Sequence, residues 1–75
     1  PMEPFDPLWH RNNLLRHPDF RERERSADAL RLARDVDSLP ELRAALQDPS
    51  ACVRLAAVSA ISHLADAASV PALCM

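Results

Sequence analysis

Three histidines, two cysteines and one run of alternating charge are the residues of this 75-residue chain that could do chemistry. His10, His17 and His63 are scattered, and none stands at the i, i+4 spacing that lets two imidazoles on one helix share a metal ion. Cys52 and Cys74 are too few for a disulfide framework and lack metal-ligand spacing. Cys52 lies near an expected helix start, where a thiol pKa can fall, yet its place in the pattern is that of an ordinary packed residue. The run "RERER" (Arg21 to Arg25) is the one basic cluster, and a nucleic-acid face would draw on Arg21, Arg25, Arg31 and Arg34. Glu22 and Glu24 interleave with those arginines, Asp19 and Asp28 flank them, and only Phe20 could stack on a base. That pattern reads as a solvated, ion-paired helix face. No nucleophile, base and orienting group fall into a set, so the chain is read as non-catalytic, with no cofactor, no metal and no small-molecule substrate.

Composition says which elements must carry whatever the chain does. There is no glycine, no tyrosine and no lysine; all nine basic residues are arginine, and the net charge is −2. Without glycine the tight turns of a β-hairpin protein are hard to build, whereas Ala, Leu and Arg enter helices at little cost. The charge gives no global attraction to nucleic acid or anionic membrane. No apolar run approaches the roughly 20 residues of a membrane span, and no leader pattern opens the sequence, so a reduced, cytoplasmic protein is expected. Pro1 before Met2 is read as a remnant of tag cleavage, with Met2 as the native start.

Prolines divide the chain into helical segments. The first runs from about Asp6 to Arg16, with Phe5, Leu8, Trp9 and Leu15 on one side. The second runs from about Pro18 to Arg34, polar at first and apolar after Ala27. A short third segment is expected to start at a capping box of Ser38 and Glu41, with Leu39, Leu42 and Leu46 as its stripe. The fourth takes Asp48 as N-cap and Pro49 at its first position, and buries Val53, Ala56, Ala57, Ala60, Ile61 and Leu64. Ser69 is read as the cap of a fifth segment.

A shift of 31 residues, without gaps, superimposes "DVDSLPEL" (Asp35 to Leu42) on "DAASVPAL" (Asp66 to Leu73). The same shift pairs Leu15 with Leu46, Pro18 with Pro49, Arg23 with Arg54, Ala29 with Ala60 and Leu30 with Ile61. A fixed period of this size, built from a short helix, a turn and a longer helix, indicates an all-α fold, a short α-solenoid. One domain is expected over 1–75, with a first repeat over about 8–37, a second over about 38–68 and a partial third over about 69–75, about two and a half repeats in all.

The stretch from Ser38 to Leu73 resembles the HEAT repeat, in the short bacterial form also found in phycobilisome lyases. The matching residues are Pro40, Leu42, Leu46, Asp48, Pro49, Val53, Arg54, Ala57, Ala60 and Ile61. The likeness is weaker over His17 to Ala33, where Glu22 stands at the place of Val53, and it is absent before Trp9. The glycine usual between repeats is missing, with Arg34 and Ala65 near its place. The resemblance implies an outer and an inner helix per unit, stacked on neighbours at both sides. It also implies that Asp48 and Arg54 tie one unit to the next by charge-assisted hydrogen bonds. A chromophore-handling role, which the lyase likeness suggests, conflicts with a chain too small to enclose a tetrapyrrole.

An inner helix with neighbours on both sides needs more than one apolar stripe, which accounts for Leu55 and Val58. About three repeats are usually needed for a stable array. We therefore expect a protein-interaction module or small scaffold subunit that docks a protein partner or self-associates through Leu55, Val58, Val70, Leu73 and Met75. The alternative is a nucleic-acid-binding repeat using the arginines named above.

Overall fold

A computed structural model describes the backbone of residues 6–73 and the side chains of residues 6–66. Four α-helices follow one another: α1 (Pro7–Arg16), α2 (Phe20–Leu32), α3 (Leu39–Ala44) and α4 (Ala51–Leu73). Single 3-10 turns, Val36–Ser38 and Ala45–Gln47, flank α3. There is no strand among the described residues.

α1 starts as its sequence demands. Asp6 is extended and its carboxylate accepts from Leu8 and Trp9 N–H, while Pro7 occupies the first helical position, where no N–H is needed. α2 is shorter at both ends than the expected 18–34. Its N-cap is Asp19, whose carboxylate accepts from Arg21 N–H, so Pro18 lies outside the helix. At the other end Asp35 N–H reaches Leu30 O and Arg34 N–H reaches Arg31 O, both at 3.1 Å. That crossed pair is a Schellman closure, and it puts Arg34 at φ 56°, the left-handed conformation that glycine usually takes.

Three expected caps are not formed. Ser38 has helical rather than extended dihedrals, and its hydroxyl donates to Asp35 O at 2.6 Å, so no capping box with Glu41 is made. Asp48 lies two residues ahead of the turn that opens α4: it is extended, and its Oδ1 accepts from Ser50 N–H at 2.8 Å. Ser69 opens no fifth helix, because α4 continues through Leu73. Nothing between Leu64 and Val70 stops it: the run is rich in alanine and has no glycine.

The helices stack as two hairpins, α1 on α2 and α3 on α4, joined because α2 packs on α4 and α1 on α3. Like helices therefore lie beside like, which is the layout of a solenoid. Leu14, Ala27, Leu30, Leu42, Ala45, Val53, Ala56, Ala57, Ala60 and Leu64 form the core, with Leu39, Leu46 and Ile61 partly buried against it. The stripe of α4 expected from the sequence is the one that is buried. Alanine at 56, 57 and 60 lets neighbouring helices approach closely, while Leu30 is fully enclosed; truncating such a leucine typically costs about 2–5 kcal/mol.

Candidate interaction site

The turn ahead of α4 joins the two hairpins. Asp48 is fixed by its bond to Ser50 N–H, so both carboxylate oxygens face α2. Arg23 on α2 meets them side-on, Nε to Oδ2 at 2.8 Å and Nη2 to Oδ1 at 3.1 Å. The same guanidinium turns Nη1 back to His17 O at 2.6 Å and to Pro18 O at 3.2 Å. Both side chains are largely shielded from water. Burial opposes ionisation of Asp48, but the hydrogen bonds from Arg23, the Ser50 N–H and the charges of Arg23 and Arg54 outweigh it, and its pKa falls below the ordinary carboxylate value. Arg23 is raised in turn, chiefly by its hydrogen bonds to Asp48. A second fork, Arg11 on Asp35 at 2.9–3.0 Å, ties α1 to the link between hairpins.

The expected tie between Asp48 and Arg54 is therefore divided differently. The carboxylate belongs to Arg23, and Arg54 reaches only the Asp48 backbone, Nη1 to O at 2.6 Å. Arg23 was missed as a tie although the 31-residue shift pairs it with Arg54; the signal was that pairing itself. Arg54 repeats the posture of Arg23 with the same atom, on the carbonyl six residues earlier and at the same distance. Its side chain makes no other hydrogen bond or ion pair among the described residues, so Nε and Nη2 have no carboxylate.

The surface beside Arg54 is open in the same way. On α2 the neighbours of Arg23 are Ala27 and Leu30, both 0% exposed beneath α4. Their counterparts on α4 are Val58, 53% exposed, and Ile61, only partly buried. Leu55 is 69% exposed. Two of the expected contact residues, Leu55 and Val58, thus lie one helical turn apart on solvent-facing α4; Val70, Leu73 and Met75 fall outside the described side chains.

The other candidates are spread over the molecule. Arg21 lies over the Phe20 ring, 5.7 Å from its centre, and 3.8 Å from Asp19. Arg25 pairs with Glu22 and Arg31 with Asp28, while Arg34 sits in the turn after α2. His17 caps its turn, accepting Asp19 N–H at Nδ1 at 3.0 Å. His63 lies on exposed α4 with Nδ1 2.9 Å from Ser59 O, and Cys52 is an exposed free thiol. Among the described residues no group of His, Cys, Asp or Glu could hold a metal ion, and no helix is long and apolar enough to cross a membrane. A shallow groove of about 220 Å³ between α1 and α3 is lined by Leu8, Arg11, Asn12, Leu15, Arg16 and Glu41.

Compared with known proteins, residues 10–75 match a family model described as HEAT repeats. No curated protein and no solved structure matched.

Proposed function

We propose, from the premise that the chain belongs to the HEAT-repeat family, that it is a non-catalytic protein-interaction module whose docking surface is the open side of α4. HEAT repeats are generally protein-interaction scaffolds. The observation that carries the reading is the contrast between equivalent residues: Ala27 and Leu30 are sealed by the next hairpin, whereas Val58 and Leu55 face solvent. Two exposed branched apolar side chains beside a guanidinium with an empty edge make a surface that gains by being covered. Val70, Leu73 and Met75 extend that surface in this reading. The arginines of α2 favour it over nucleic-acid binding, since Arg21, Arg25 and Arg31 each stand beside an acidic partner. A reducing cytoplasm suits the free Cys52.

The test is a photo-reactive residue placed at position 55 or 58 of the chain in its host cells, with one at position 24 on α2 as control. Protein adducts at 55 and 58 but not at 24 are expected; their absence at both α4 positions rejects the reading.

A further inference from the structure

Resting on that reading, we propose that the open side of α4 accepts a helical hairpin of a different protein, one with a carboxylate in the turn before its docking helix and a small residue one turn into it. The occupant is defined by what α2 already holds. Arg23 receives the Asp48 carboxylate in a fork, and the helix that follows lays Ala56, 8% exposed, into the seam. Arg54 offers the same fork, in the same posture, to a carboxylate that the described residues do not supply. α4 itself does not fold back at the point equivalent to the end of α2; it continues in line through Leu73.

A second copy of this chain is the obvious rival, stacked head to tail with its first hairpin on α4. Its leading end has the right shape and the wrong chemistry. His17 has the backbone of Asp48, φ −65° and ψ 134° against −62° and 141°, and its Nδ1 accepts the N–H two residues on, as Asp48 Oδ1 does. It therefore keeps the turn but brings no carboxylate to Arg54. The position of Ala56 is filled by Arg25, exposed and ion-paired with Glu22, which would set a long cation against Arg54 and Val58. Like charges at an interface reject a partner effectively. Arg21, opposite the exposed Cys52, makes no such conflict. Two substitutions thus separate the leading end of this chain from one that α4 would accept.

The proposal is tested with the chain itself as probe. A variant carrying H17D, R25A and V58D offers a corrected leading end and has its own docking side blocked; circular dichroism first establishes that it is folded. Mixed with wild-type chain in a sedimentation experiment, it should form a 1:1 complex, while wild-type chain alone stays monomeric at the same concentration. Replacing Arg54 by Ala in the acceptor should weaken the complex by about tenfold or more, as expected for losing one side of a shielded charge pair. Wild-type chain that self-associates as tightly as it binds the probe makes a second copy the occupant and overturns the proposal. So does a folded probe that fails to bind, or binding indifferent to Arg54→Ala. If any of these occurs while photo-adducts form at position 58, the docking surface stands and only the identity of its occupant falls.

Discussion

Asn13 Nδ2 stands 2.7 Å from Ser26 Oγ inside the seam between α1 and α2, both residues buried. Asn13 also donates to Glu22 O at 3.3 Å, and His10 Nδ1 lies 3.4 Å from the same hydroxyl. The second hairpin has Ala57 at the place of Ser26. Removing one partner leaves the other desolvated and unbonded, so Ser26→Ala should destabilise the fold by about 1–3 kcal/mol in urea unfolding. Asn13→Leu combined with Ser26→Ala should recover much of that loss, since an apolar pair leaves nothing unsatisfied. A double variant no better than the single one would show that the hydrogen bond is not what holds the seam.

Asp48 makes stability depend on acid. Its folded pKa lies below its unfolded value, near 3.9 for an ordinary aspartate, so the folded state binds the proton more weakly. The contribution is complete above the unfolded value and is lost as pH falls through the folded one. Unfolding free energy should hold level from pH 7 to about 5 on this account and decline below about 4. Asp48→Asn should lower the neutral plateau by about 1.5–3 kcal/mol, the range for hydrogen bonds to a charged group, and flatten the acid limb. An unchanged acid limb in that variant would assign the decline to other carboxylates.

Arg34 holds a left-handed backbone at φ 56° without being glycine. Relieving the clash between Cβ and the backbone should make Arg34→Gly more stable by up to about 1 kcal/mol, less the entropy glycine loses on folding. Arg34→Val should be destabilising, because a β-branched side chain tolerates this region worst. Thermal melts of the two variants should move in opposite directions.

Val58 and Ala27 occupy equivalent places with opposite surroundings. Val58→Asp should change the stability of the isolated chain by no more than about 0.5 kcal/mol. Ala27→Asp should unfold it or cost several kcal/mol, because a carboxylate would be buried without a partner. Comparable losses in both variants would mean that Val58 is covered in solution.

How much of this was legible in the sequence depends on the kind of interaction. The stripe Val53, Ala56, Ala57, Ala60 and Leu64 was readable because burial follows helical period, and the 31-residue shift carried the stacking with it. The exposure of Leu55 and Val58 followed from counting the faces an inner helix needs. Caps were read less well. Ser38 and Asp48 have the right residue types at plausible spacing, but each hydroxyl or carboxylate can serve several nearby N–H or C=O groups, and only the path of the chain decides among them. The Arg23 fork was hidden because its partner lies 25 residues away, beyond local pattern. Arg34 marks the place where a missing glycine was noticed and its substitute could not be deduced, since the strain there is balanced by the hydrogen bonds of Asp35 and Arg34 to α2.

The stacking of α1 on α3 and of α2 on α4 also sets how the chain finds its structure. Every helix meets either its successor or the helix one repeat onward, so no packing partner lies much more than one 31-residue step away. Loops that must close during folding are short, the loss of chain freedom before the first contacts is small, and contact order is low. Such a chain should collapse to its native form on the microsecond-to-millisecond scale typical of helical domains. Because each hairpin can form before the other, the slowest event is expected to be the meeting of the two, when Asp48 reaches Arg23.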